Sequence, residues 1–483
     1  MASNHYLSVD VGTGSVRAAL WGQDGECLSR SVCPIRTWTN EGMPEGSYEQ
    51  STRDIWNSIK RSVKHLCMSL CTLTCKWTYI AHDVEDTTVP SNDEATNGDT
   101  TNVRLAKGWN DSFWCSIGLE CLVNEEYKRI GTKVQVPGRS VGLGLSERAA
   151  VELGLTPGTP VATGIIDAHA GGLGMLGADT SQVGSLGDVP LTSRLALIGG
   201  TSSCHMMSSD TPLLVPGVWG PYYSAMIPGL YLNEGGQSAS GALIDYVLHS
   251  YPGAYRELED QLNHTKGITS VHQLIESRLT SLSHQKGLPS LSHLTAHYHV
   301  LPDHHGNRSP LADPTLRGMV SGLSLGQSVD DLSIAYLATM QALAYNTKHI
   351  IEAAETSSEE TQKEGKGKGR EGTVKVLFIC GGLSSNPIFL HTQSDITGLP
   401  VVVLSDNRDA VLLGSAILAA TASTGEDVSL IMARMSSIDQ DKVIYPDKTP
   451  SLVRFHQSKY KVFKFLYEDQ YKYRRIMNEG GVM

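Results

Sequence analysis

LSVDVGTGSVRAAL, residues 7–20, is an apolar run ending on Asp10, a tight turn of Gly12, Thr13 and Gly14, and a second apolar run leading into Trp21. That pattern predicts a β-hairpin with polar chemistry at its tip. Glycine at 12 and 14 opens backbone angles closed to other residues, so the turn can present N–H groups to an anion, and the Thr13 hydroxyl adds a donor. Asp10 would sit beside a bound phosphate only with a cation between them, for which Mg²⁺ holding a nucleotide is the natural choice. Taken alone, the same residues also suit an ordinary glycine hairpin with a surface aspartate.

A second copy changes the balance. Residues 195–208 read LALIGGTSSCHMMS, and laying Gly12 and Thr13 on Gly200 and Thr201 brings both apolar runs and the glycine turn into register. Two facing hairpins can clamp one polyphosphate, with Gly200, Thr201 and Ser202 opposite Gly12, Thr13 and Gly14. Ile198 stands where the first copy has Asp10, so a metal would be held from one side only. A repeat of about half a chain implies two similar domains with a ligand cleft between them.

Composition narrows the partners. The 483 residues are 40% hydrophobic and 18% charged, which is enough to build large folded cores. A formal charge of −11 argues against a nucleic-acid or anionic-membrane surface, so an anionic ligand must be met by local donors. The chain opens without a charged and apolar leader pattern, and no apolar run reaches the ~20 residues that span a bilayer. The expectation is a cytoplasmic protein with reduced thiols. Cys67, Cys71 and Cys75 are spaced four apart, but without a CxxC partner they read as small buried residues rather than metal ligands.

Along the chain, residues 26–32 suit a third strand, and Ile55, Trp56, Ile59, Val63 and Leu66 mark one face of a helix over 51–67. Residues 82–107, rich in Asp, Thr, Asn and Ser, predict a solvated insertion. PVATGIIDAHAGGLG, residues 160–174, reads as a strand ending at Asp167 and a small-residue helix start. A carboxylate there would point into the cleft of an open α/β sheet, where it could serve as a base; it could equally cap the helix. Gly235, Gly236 and Gln237 are expected to open an amphipathic helix through Leu248. The histidines at 293, 297, 299, 304 and 305 lie on a strand and loop without ligand spacing. Residues 332–354 predict a long helix, and 356–373 a polar loop. Residues 374–386, VKVLFICGGLSSN, repeat the strand, glycine pair and helix start, where Gly381 and Gly382 would admit a flat base or ribose. A strand over 400–404 precedes a helix over 410–420, whose Gly414 and Ala416 permit close packing.

In this order the pieces resemble the FGGY carbohydrate kinases, most closely the eukaryotic members similar to D-ribulose kinases. The carriers are Asp10 with Gly12 and Thr13, IIDAHAGGLG around Asp167, GGTSSCHM at 199–206, VPGVWGPY at 215–222, LNEGGQS at 232–238, HGNRSPLAD at 305–313 and ICGGLSSNP at 379–387. The resemblance implies an α/β fold of two ribonuclease-H-like domains of the actin-like ATPase superfamily, spanning 1–194 and 195–470 and closing over ATP and a small-molecule sugar. It implies Asp167 as general base toward the sugar hydroxyl, and Asp10 supporting Mg²⁺ through water. It further implies Gly12, Thr13, Gly14, Gly200, Thr201 and Ser202 on the phosphates, and Gly381, Gly382 and Asn386 at the adenosine. A conformational switch that binds ATP without a sugar is the competing reading, disfavoured by a carboxylate placed for a hydroxyl acceptor. The chain departs from the family after the first helix. Near 67–70 the central strand and sugar-gripping elements expected there are replaced by MSLCTLTCKWTY. The first strand should then carry an unpaired edge, or the strand before Asp167 should slide across to it. Little turnover of D-ribulose is expected from such a chain, whether it is a splice form or an incomplete gene product. Oligomeric state leaves no trace in the sequence.

Overall fold

The computed structural model describes residues 4–38, 49–68, 75–78, 111–128, 135–181, 183–184, 186–265, 267–363, 374–404, 409–439 and 442–479. The expected insertion at 82–107 lies outside these residues, as does the second half of the expected 356–373 loop.

The first sheet begins with β1 (His5–Val11), β2 (Ser15–Trp21) and β3 (Cys27–Pro34), a meander in which Asp10 stands directly across from Arg17. A small hairpin of β4 (Thr37–Trp38) and β5 (Glu49–Gln50) leads into α1 (Thr52–Met68). Alternation along β1 and β2 sends Leu7, Val16, Ala18 and Leu20 to one face, where Ile59, Val63 and Leu66 of α1 cover them. The opposite residues, Tyr6, Ala19 and Trp21, belong to a different core.

The expected gap in this sheet is closed. β6 (Cys75–Thr78) lies parallel between β1 and β7 (Val161–Ala162), pairing Leu7 with Trp77 and Trp77 with Val161. Neither an unpaired edge nor a sliding strand results. The stretch CKWT has the Thr and Trp content that suits a pleated, half-buried surface, and it takes the vacant central position. Two short helices, α2 (Asp111–Ser116) and α3 (Glu120–Asn124), and then α4 (Glu147–Leu153) precede β7. After β7 the chain runs without strand pairing to α5 (Asp167–Leu176), so Asp167 opens a helix instead of ending a strand.

The second sheet has the order β10-β11-β9-β8-β14-β15. β8 (Arg194–Gly199) and β9 (Ser203–Ser209) form the second hairpin, followed by β10 (Trp219–Tyr223) and β11 (Tyr231–Gln237). Gly235–Gln237 therefore end a strand, and the helix starts later, at α6 (Gly241–His249). Those glycines serve close packing, since a Cβ on Gly236 would lie 2.6 Å from the Ser203 carbonyl oxygen and one on Gly235 would lie 2.8 Å from Ile350. Helices α7 (Pro252–His264) and α8 (Val271–Gln285) and the pair β12 (His299–Leu301) and β13 (Met319–Ser321) follow. α9 spans Val329–Lys363, so the helix continues into the polar stretch that had read as loop. β14 (Val376–Cys380), α10 (Pro387–Thr397), β15 (Val401–Val402), α11 (Ala410–Thr424) and α12 (Val428–Met435) complete the second half, and α13 (Pro450–Glu479) packs against α9 and β12.

Two helices are exchanged between the halves. α5, from the first half, lies on β8 of the second sheet, while α11, from the second, lies on β1, β6 and β7 of the first. Where they cross, backbone meets backbone: a Cβ on Gly174 would lie 2.1 Å from the Ala410 carbonyl oxygen, and one on Gly414 would lie 1.9 Å from that of Ala170. The crossing sits inside a core shared by Tyr6 and Trp21 of the first sheet, Ala196, Met206 and Phe378 of the second, and Met432 of α12.

Gly414→Ala should therefore force the helices apart and cost about 1–3 kcal/mol, the usual range for overpacking. Gly253→Ala, in α7 with open space around its Cβ position, should change stability by less than about 0.5 kcal/mol. Urea denaturation of the two variants checks this, and an unchanged midpoint for Gly414→Ala would refute the close crossing.

Candidate functional site

A cleft cavity of about 620 Å³ lies where the two hairpins, α5 and α11 converge. Thr13 enters it from the first hairpin tip and Gly200, Thr201 and Ser202 from the second, so the two tips face one space. Asp167 and Ala168 at the start of α5, Gly381, Gly382, Ser384 and Ser385 after β14, and Asp409, Ala410 and Val411 at the start of α11 complete the rim. Two helices thus begin at the cavity, and their first-turn N–H groups favour a negatively charged guest.

The hairpin tips work differently from what their glycines suggest. None of Gly12, Gly14 and Gly200 has a positive φ, and the N–H groups of Gly12 and Gly200 donate within their own turns, to Ser15 O at 3.0 Å and Ser202 O at 2.9 Å. The second tip is fixed by α6, whose first amides donate to the carbonyls of Gly200 and Thr201. The first is held by Gln50, whose Nε2 donates to Thr13 O at 2.5 Å. Gly381 does need its residue type: its φ is +85° and a Cβ would lie 2.2 Å from Gly199 O. That glycine brings β14 and its turn against the second hairpin.

Asp167 is exposed and is the first residue of α5. The preceding N-cap, Ile166, offers no side-chain hydrogen bond, while the Asp167 Oδ1 accepts from the Ala168 amide at 2.7 Å. Two residues on, His169 is buried, with Nε2 3.2 Å from Glu234 Oε2 and Nδ1 3.3 Å from Ala225 O.

Asp10 does not line the cavity. It is buried, and its Oδ2 accepts from both Nε (2.8 Å) and Nη2 of Arg17. Arg17 reaches on to Asp409, Nη1 to Oδ2 at 2.9 Å, and Arg30 approaches the same oxygen at 3.3 Å. Burial pushes the Asp10 carboxyl above its ordinary range in spite of Arg17 beside it, with Asp409 and Asp167 adding to the push. For Arg17 burial opposes the charge, but Asp409 and Asp10 more than reverse it and keep the guanidinium charged. Asp409 has a second task, its Oδ1 accepting from the Leu412 amide as N-cap of α11. The result is a cationic pair, Arg17 and Arg30, at the cavity wall, held from behind by Asp10 and across the cleft by Asp409.

Asn386 lies off the cavity too. Its side chain caps α10 by accepting from the Phe389 amide and donates from Nδ2 to Tyr336 Oη at 2.5 Å. Arg17, Arg30 and Asp409 were missed in the sequence, although the register of the first hairpin pairs position 10 with 17, and an aspartate directly before an apolar helix is a capping signal. Two cysteines also line the space; burial pushes the Cys204 thiol up to about 11 and that of Cys380 to about 12, which disfavours the thiolate.

The volume suits a nucleotide, and its wall supplies cations, hydroxyls and helix starts for phosphates. Among the described residues no three His, Cys, Asp or Glu side chains gather as a metal cage. A Mg²⁺ ion carried on a nucleotide keeps its waters and binds through phosphate oxygens and one or two carboxylates. Asp167 and Asp409 line the space and Asp10 stands behind Arg17.

Comparison with known proteins bears on the family and the fold. The C-terminal domain of the FGGY family of carbohydrate kinases matches residues 195–423. An FGGY carbohydrate kinase domain-containing protein of Danio rerio is 42% identical over 94% of the chain, and that of Homo sapiens is 46% identical over 85%. The chain spans 76% of the first and 66% of the second. A D-ribulokinase of Saccharomyces cerevisiae is 32% identical over 74% of the chain and 47% of its own length. Among solved structures, a xylulose kinase from Brucella ovis superposes over 97% of this chain and 100% of its own with a TM-score of 0.67 at 14% identity, a likeness of fold. A glycerol kinase from Plasmodium falciparum with ADP superposes over 95% of this chain and 97% of its own, with a TM-score of 0.58 at 13% identity. With 42% identity running through both halves, the cavity lies in a two-domain chain that belongs to the FGGY family of carbohydrate kinases.

Proposed function

We propose that this chain transfers the γ-phosphoryl group of ATP to a hydroxyl of a small ketopentose, with D-ribulose the first candidate. The observation that carries the reading is the placing of Asp167 in one cavity with Thr13 and Thr201. The likeness to a D-ribulokinase supports the choice of sugar.

In this reading the polyphosphate lies between Thr13 and the Gly200 to Ser202 turn, with Arg17 and Arg30 along one side and the start of α11 behind it. The adenosine lies along Gly381, Gly382 and Ser384. Asn386 supports that turn by capping α10, and Asp10 orients Arg17; any part it took in holding Mg²⁺ would be through water. Mg²⁺, when bound with the nucleotide, neutralises charge on the phosphates. Asp167 accepts the proton of the attacking hydroxyl as its oxygen bonds to the γ-phosphorus. The bond from that phosphorus to the bridging oxygen breaks, and ADP leaves with the electron pair. The active-site groups position and neutralise, which is most of what phosphoryl transfer asks of a protein. The chain is shorter than its relatives, and residues that read the sugar from the first domain are the ones expected to be missing. Binding of sugar is then the weak step.

Asp167→Asn should lower sugar-dependent ADP release by about 10²–10⁴-fold, the range of a lost general base, with ATP affinity by calorimetry within about twofold of the parent. Retention of full D-ribulose-dependent turnover in that variant would remove Asp167 from the role. Arg17→Met should weaken ATP binding by about tenfold or more, since it removes a charge-assisted phosphate contact. Equal affinity would place the phosphates elsewhere. ADP release with and without D-ribulose should differ, and kcat/KM should fall at least about tenfold below that of the yeast D-ribulokinase, with KM carrying the loss. ATP hydrolysis indifferent to every pentose offered would instead favour a nucleotide-driven switch.

A further inference from the structure

The N-cap of the helix that presents Asp167, Ile166, makes no side-chain hydrogen bond, and Asp167 itself accepts from the Ala168 amide, so contacts deeper in the turn help to fix its aim. The buried contact available is His169, the third residue of α5. Its Nδ1 meets Ala225 O and its Nε2 meets Glu234 Oε2, at 3.3 and 3.2 Å. The ring thus bridges the Ala225 carbonyl and the Glu234 carboxylate. Burial works against the charge on Glu234, but His169 and Arg308 outweigh it and hold the carboxyl below its ordinary range.

Arg308 is the far end of the chain of contacts. Its Nη2 donates to Glu234 Oε1 at 2.5 Å, its Nη1 lies 3.6 Å from Cys204 Sγ at the cavity wall, and its guanidinium sits 4.5 Å from the centre of the Trp219 ring. The segment that carries it is itself fixed. Asn307 donates to Asp303 and accepts from the Leu311 amide, and Arg474 of α13 bonds Asp313 at 2.9 Å. Gly236 leaves the space that Arg308 fills, since a Cβ there would lie 3.1 Å from its Cδ and Nε. The three side chains, Arg308, Glu234 and His169, run from a loop tied to α13, through the second sheet, to the helix that presents Asp167.

We propose that Arg308 is a positioning residue for phosphoryl transfer: acting through Glu234 and His169, it fixes the first turn of α5 and so the aim of the Asp167 carboxylate. This rests on the reading of Asp167 as the base. A carboxylate that is off its line by a fraction of an ångström still binds no worse to ATP but accepts the proton poorly, so the loss belongs in kcat.

The test uses the full chain with Arg308→Gln, Arg308→Lys and Asp167→Asn. Arg308→Gln should lower kcat with D-ribulose by about tenfold while KM for ATP stays within about twofold. Amide hydrogen exchange over residues 166–176 should quicken in that variant and stay unchanged in β8 and β9. Arg308→Lys, which returns a positive charge to Glu234 but not the fork or the stacking on Trp219, should recover part of both. Asp167→Asn should lower turnover by about 10²–10⁴-fold with the exchange of α5 left as in the parent. Unchanged α5 exchange in Arg308→Gln would overturn the proposal, as would faster exchange throughout the second sheet, which would mean general loosening. Turnover that survives Asp167→Asn would instead strike at the assignment of the base, and the exchange data would still decide whether Arg308 anchors α5.

Discussion

The crossing of α5 and α11 is the constraint from which the site follows. Because Gly174 and Gly414 let two helix backbones touch, α5 and α11 border one cavity, and each brings a carboxylate to its rim, Asp167 on one and Asp409 on the other. Side chains at the crossing would separate the axes toward the ordinary 8–10 Å of helix packing, and the cavity would widen with them. Small residues at the crossing therefore belong to the chemistry as much as to the packing.

Electrostatics then shape the space so formed. An acidic protein meets an anion by concentrating two arginines on one wall and controlling them with carboxylates. Asp10 fixes Arg17 from inside the first sheet, and Asp409 receives it from the other half. Buried ion pairs of this kind give little net stability, because desolvation offsets the attraction, but they define where a charge sits. For the proposed phosphate site that definition is what matters.

Much of this was legible in the sequence. The two glycine hairpins, the aspartate before a small-residue helix and the glycine pair after β14 stand at the rim of one cavity, since each is a local pattern whose geometry depends on few neighbours. The errors have a common cause. Gly235 and Gly236 resemble a helix start, but they lie inside a strand because two other elements press on them. Residues 75–78 look displaced, yet they occupy the centre of a sheet, because a vacant row of hydrogen-bonding groups accepts any chain of suitable residues. Asp10 and Asn386 are at the right motifs but turned inward, Asp10 by Arg17 and Asn386 by Tyr336. Which way a polar side chain turns is decided by partners on the next strand or, for Asn386, 50 residues away, and short-range pattern does not carry that.

The exchange of helices also sets an order of assembly. Tyr6, Ala19 and Trp21 of the first sheet are covered by α11, which the ribosome makes some four hundred residues later. Until residues 410–424 emerge, one apolar face of that sheet lacks the helix that packs on it. The first half cannot finish as an independent unit, and its most exposed period during synthesis is long. Contacts so distant along the chain slow folding and leave sticky surface waiting, which makes this architecture depend on protection by chaperones more than a pair of self-contained domains would.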